Sequence, residues 1–160
     1  MASTYEKIAT TTLGSSASST TFSSISSAYT DLVLVIDYAT TVETGVTFRF
    51  NSDTGSNYSV TYLVGSYTNA AISGRASNAD QINPTYWGQP TSDRGNIILQ
   101  LNNYSNTTTY KSGLFRVNSV SRETIAAVGL WRSTSAITSI TAISSFASTS
   151  MFTLYGIKAA

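Results

Sequence analysis

The chain has 160 residues, of which only 11% are charged, a net charge of +1, and neither histidine nor cysteine. Disulfide scaffolds, thiol nucleophiles, thiolate metal sites and the Ser–His–Asp arrangement are excluded at once. Hydrophobic residues make up 41%, enough for one core of ordinary size without staples.

Serine and threonine occupy the place usually held by charge, at roughly a third of the chain where charged residues alone would normally take about a quarter. The polar surface is therefore hydroxyl rather than ionic, which suits strands because threonine is β-branched. Few Lys and Glu argue against long surface helices. The basic residues stand singly at Lys7, Arg49, Arg75, Arg94, Lys111, Arg116, Arg122, Arg132 and Lys158. Without a basic stripe, a nucleic-acid partner is not expected. The first ten residues lack the apolar core of a secretion signal, and the strongest apolar run, Leu32–Ile36, is too short to span a bilayer. No membrane partner is expected, and synthesis is expected in the cytoplasm of the host cell.

In chain order, Tyr5–Thr12 is a first strand. The stretch 14–27 is Ser-rich and of low complexity, read as surface chain pinned by Phe22 and Ile25. Asp31–Ala39 is apolar on both faces and is expected to be a central strand covered on each side. Val46–Phe50 alternates, a cluster of turn formers follows at 51–57, and Tyr58–Val64 reads as the returning arm of a hairpin. Asp53, Gly55 and Asn57 are expected to supply the positive φ angles of its turn. The region 65–93 is irregular, holding Pro84 and Pro90 around Tyr86 and Trp87. Ile97–Leu101, Leu114–Val120, Thr124–Trp131, Ile137–Ile143 and Phe152–Ile157 complete the strands. The last lies at the end of the sequence, so its partner must be distant and the fold must close by a non-local contact. About eight to ten short strands without a helical stripe predict an all-β fold: a single β-sandwich over 1–160, jelly-roll-like, with 1–30 packed on it.

Chemistry is scarce. With histidine absent, paired carboxylates within roughly 5–10 Å would be needed for glycosidase-type catalysis, and the eight acids are isolated in sequence. No enzymatic activity and no cofactor are expected. Asn51, Asp53, Gly55 and Asn57 resemble half a calcium loop, but Gly55 falls at a ligand position and no bidentate Glu follows, so a tight turn accounts for them. Tyr86 and Trp87, on a loop bracketed by Pro and Gly, are the candidate contact residues. They could cap the sandwich, meet a partner subunit, or stack on a sugar. Trp131, at the end of a strand, is assigned to the core.

Eight pieces then occur in one order: Phe22–Ile25, Tyr29–Val35, Arg49–Tyr58, Asn103–Thr107, Lys111–Ser112, Gly129–Thr134, Ala136–Ile140 and Leu154–Lys158. Together they resemble a group of short virion proteins of tailed phages, particularly phages of aquatic bacteria such as cyanobacteria, over nearly the whole chain. The resemblance implies a non-enzymatic virion component located on the particle. Capsid decoration or cement is the favoured role, with a tail or fibre receptor-binding module as the alternative. The implied partners are further copies of the chain, trimer favoured, the major capsid protein and, for the alternative, a host surface glycan. It supplies no site residues.

Overall fold

The structure, a computed structural model, describes residues 4–67, 71–89, 91 and 93–158. It contains eleven strands: β1 (Tyr5–Thr12), β2 (Ala17–Phe22), β3 (Asp31–Tyr38), β4 (Thr47–Phe50), β5 (Tyr58–Ser66), β6 (Ile72–Ala79), β7 (Gly95–Asn102), β8 (Lys111–Ser119), β9 (Glu123–Trp131), β10 (Ile140–Phe146) and β11 (Met151–Ile157). Eight form one sheet in the order β1-β11-β3-β7-β8-β9-β5-β6, and three form a second, β2-β10-β4. The fold is an all-β sandwich of unequal layers. Among the described residues, no helix is long and apolar enough to cross a membrane.

Period-two alternation builds the core. In β8, Phe115 and Val117 point inward and Leu114 and Arg116 outward; β9 repeats the pattern with Ile125 and Ala127 against Ala126 and Val128. The inner faces meet through aromatic contacts. Phe48 lies 5.2 Å from Phe115, and Phe146 stands edge-on to Phe152 at 4.9 Å between ring centroids. Such pairs add specific geometry to the area they bury. The terminal strand behaves as its period implies: β11 is inserted between β1 and β3, antiparallel to both, with Phe152 and Leu154 fully buried.

Five expectations are corrected. The segment 46–64 is not a hairpin, because β4 pairs with β10 in the small sheet while β5 pairs with β6 and β9 in the large one. The chain crosses between layers here, and alternation alone cannot tell such an arch from a hairpin. The left-handed residues are Asn51 (φ 52°) and Ser52 (φ 56°), not Asp53, Gly55 or Asn57. The Tyr58 hydroxyl secures the crossing, accepting from the Phe50 N–H at 3.1 Å and lying within hydrogen-bond distance of the Phe50 and Asp53 carbonyls. The Ser-rich stretch contains a true strand, β2, held on β10. Its anchors Phe22 and Ile25 are buried as expected. A second unforeseen strand, β6, lies within the irregular region, as an edge strand whose Ser, Arg, Asn and Ala residues carry no apolar alternation. Finally, β3 lies inside its sheet as expected, but the second layer packs on only one of its faces; on the other, Val33 is buried and Val35 partly exposed.

Candidate functional site

The segment between β6 and β7 returns along the open edge of β4. Ile82 exchanges backbone hydrogen bonds with Phe48, and the Gln89 N–H donates to the Thr44 carbonyl at 2.9 Å. Between these fastenings stand Tyr86 and Trp87. Tyr86 is 40% exposed and Trp87 half-buried. The two rings meet edge-on at 4.8 Å, and Tyr86 lies 5.7 Å from Tyr62 of β5. Tyr62 is itself laid across β6 at Gly74, where any Cβ would strike its ring. The result is a ladder of three aromatic rings, Tyr62–Tyr86–Trp87, partly open to solvent.

A buried acid holds this loop. The Glu123 side chain is only 5% exposed, and both carboxylate oxygens lie 3.3 Å from the Trp87 N–H, which donates to them. Burial raises the Glu123 pKa above the usual carboxylate range, and the backbone N–H groups of Trp87 and Tyr86 and the nearby Arg122 charge partly offset this. Arg122 grips the loop from the other side: its guanidinium forms a two-pronged pair with Glu43 at 2.6 and 3.0 Å and donates to the Gly88 carbonyl. The Thr40 hydroxyl donates to the Gln89 carbonyl.

Beside Glu123 runs a row of inward polar groups. Tyr38, Gly95, Ser119 and Glu123 are successive partners across β3, β7, β8 and β9. The Gln89 carboxamide fills the space over Gly95, its Oε1 standing 2.6 Å from where a Cβ would be. Gln89 is 2% exposed, and among the described residues neither its Oε1 nor its Nε2 has a hydrogen-bond partner; the buried Ser119 hydroxyl has none either. Burial, with the Glu123 charge behind it, pushes the Tyr38 hydroxyl pKa well up. Ser119 and Glu123 also line a cleft of about 340 Å³ at the end of the β8–β9 hairpin, bounded by Ser66, Tyr67 and Arg122.

The 51–57 loop has a different structure. The Asp53 carboxylate accepts from the Gly55 N–H, the Asn57 amide and the Trp131 indole, at 2.8, 2.9 and 2.7 Å. Asn51 caps the 138–139 backbone. These side-chain oxygens serve the turn and the core. Trp131 is buried, stacked on Tyr58 at 6.3 Å. Among the described residues, no three His, Cys, Asp or Glu side chains are grouped so as to hold a metal ion.

Sequence reasoning named Tyr86 and Trp87, which stand side by side on this loop; Tyr62, Gln89, Ser119 and Glu123 beside them were not named. For Glu123 a signal existed: alternation with Ile125 and Ala127 puts it on the inner face. Pro90, one bracket of the loop, lies outside the described residues.

What fold and site define together is a β-sandwich carrying a fastened aromatic loop above a buried carboxyl. No protein-family model matches the chain, and no curated protein matches it. Among solved structures it is similar to the alginate lyase Aly36B, at 8% identity and a TM-score of 0.39, covering 92% of this chain and 77% of that one. A double mutant of the same lyase in complex with alginate tetrasaccharide is similar at 9% identity and a TM-score of 0.32, covering 82% and 70%. Likenesses this distant bear on neither activity nor ligand.

Proposed function

We propose that the chain is a non-enzymatic structural component of a tailed-phage virion, most simply a capsid decoration protein that self-associates and binds the shell. One observation supports the reading beyond the sequence resemblance: among the described residues, the outer face of the large sheet carries a cluster of exposed apolar side chains at its centre, with no strand packed on it. Leu63, Val128 and Leu114 are 64%, 51% and 44% exposed. Leu114 and Val128 are direct cross-strand partners, and Leu63 lies diagonally next to Val128 through Ala126. Partly exposed Ile98 and Val35 adjoin the cluster across β7 and β3, while Val33 on the same face is buried. Arg116 is the single ionic residue among these central positions. Exposed apolar surface of this kind marks an interaction face, and its low charge leaves little repulsion between copies. A trimer is favoured because shells and tails are commonly three-fold or six-fold assemblies. Cryo-electron microscopy of the particle, with the protein's density located, tests the role directly. Absence of the protein from purified particles would overturn it.

A second role, a receptor-contacting module on tail or fibre, is favoured by the partial exposure of Tyr86 and its firm mounting. An aromatic pair wholly sealed beneath the sandwich would have no such use.

A further inference from the structure

The cleft at the end of the β8–β9 hairpin and the aromatic ladder share one residue. Glu123 lines the cleft, and the same carboxylate accepts the Trp87 N–H that positions the ladder. On β5 the two are also continuous, since Ser66 of the cleft and Tyr62 of the ladder both belong to the inward set of that strand. The cleft wall contains a polar group left unused among the described residues: the Ser119 hydroxyl is more than nine-tenths buried and has no hydrogen-bond partner there. A buried hydroxyl without a partner costs free energy, and a ligand or water that supplies one recovers it.

The ligand must match three features. It needs a flat apolar face to lie on Tyr86, the exposed ring of the three, which Trp87 meets edge-on at 4.8 Å and Tyr62 at a tilt at 5.7 Å. It needs groups that both donate and accept, because the cleft offers the hydroxyls of Ser119 and Tyr67 beside the Glu123 carboxyl. It should carry no anionic group, because the one cation at the cleft, Arg122, is already bound to both oxygens of Glu43 and to the Gly88 carbonyl. A phosphate, sulfate or uronate would meet Glu123 with no free counter-charge. A nucleotide satisfies the first requirement and fails the third.

We propose that the Tyr62–Tyr86–Trp87 ladder and the Ser119–Glu123 cleft form one binding site for a neutral oligosaccharide. The inference rests on the second role considered above, that the loop contacts a receptor, and it names the class of that receptor. Tyr86 supplies the stacking face with Trp87 bracing it edge-on, Ser119 and Glu123 orient ring hydroxyls, and Arg122 keeps the loop in place without touching the sugar.

Saturation-transfer NMR and calorimetry on the full-length protein test this. The probes are neutral gluco-, galacto- and N-acetylgluco-oligosaccharides, with uronate and sulfated oligosaccharides as charged controls. At least one neutral series should bind. Trp87→Ala and the milder Tyr86→Ser should abolish that binding, and Ser119→Ala should weaken it about tenfold, the loss of one good hydrogen bond. The thermal midpoints of Tyr86→Ser and Ser119→Ala should stay near that of the parent, separating lost binding from lost folding. No binding to any neutral series, preference for the charged controls, or binding that survives both Tyr86→Ser and Ser119→Ala would each overturn the proposal. Density for the protein on particles is independent of these results. A chain present on the virion that binds no neutral sugar defeats the site alone, and a sugar-binding chain absent from the virion leaves the site standing and defeats both virion roles.

Discussion

Asp53 and Glu123 are two acids with opposite physics. The Asp53 pKa is held below the ordinary range, above all by the hydrogen bond from the Trp131 indole, with Asn57 and Gly55 adding to it and burial opposing. A lowered folded-state value means that its contribution to stability is present above the ordinary aspartate range and is lost as pH falls through the lowered value. Asp53→Asn should therefore cost about 1–2 kcal/mol near neutrality, a charge-assisted bond discounted for partial exposure. Urea titrations at several pH values should show the gap to the parent closing in acid. Glu123 behaves in reverse. Its raised value means that the protein is favoured below the unfolded-state pKa and loses that margin as pH rises through the folded-state one. Glu123→Gln, which keeps an acceptor for the Trp87 N–H, should melt higher than the parent in alkaline buffer and no higher in acid. A parent melting curve that does not shift between those conditions would contradict the placement of this acid.

Among the elements, β11 joins distant parts of the chain. It supplies pairing to both β1 and β3, and its end is fastened further: the Ile157 carbonyl accepts from both the backbone N–H and the hydroxyl of Thr30 at 2.8 Å, and Lys158 pairs with Glu6 at 2.6 Å. The pair is exposed and contributes little by itself. Truncation after Tyr155 strips the ladder bonds of Gly156 and Ile157, so the thermal midpoint should fall, corresponding to about 2–4 kcal/mol. Phe152→Ala should cost about 3–5 kcal/mol, because it opens a cavity where the ring meets Phe146. The elements that sequence alone did not reveal fail for definable reasons. β6 is an edge strand without an apolar face, so period two has nothing to mark. β2 has only Thr20 and Phe22 inward and is otherwise hydroxyl.

For the whole molecule, the question is what covers the large sheet. If the outer face joins copies, Leu63→Asp or Val128→Asp should shift the protein toward monomer in light scattering while leaving its melting temperature within a degree or two, since neither side chain belongs to the core. A parent that is monomeric at every concentration, and a variant that still decorates particles, would remove this face from the proposal. The unequal layers matter here. Three strands cannot cover eight, so the chain carrying Ile82, Tyr86, Trp87 and Gln89 adds to the inner layer, and the outer face is left for a partner or for solvent.

Alternating apolar residues, scarce charge and the absence of histidine and cysteine determined by themselves that this is an all-β chain with a core and without a Ser–His–Asp or thiol centre. They placed β1, β3, β7, β8, β9 and β11 within a few residues and singled out Tyr86, Trp87 and the buried Trp131. Local patterns can do this because side-chain direction in a strand is set by the residue's own parity. Which strands pair is not local. Only the tertiary structure decided that β4 and β5 part into different sheets, because an arch and a hairpin share the same turn-forming residues. Only the tertiary structure brought Gln89, Ser119 and Glu123 together beneath the aromatic loop, because that cluster arises from register across four strands and a loop, which no short stretch of sequence contains.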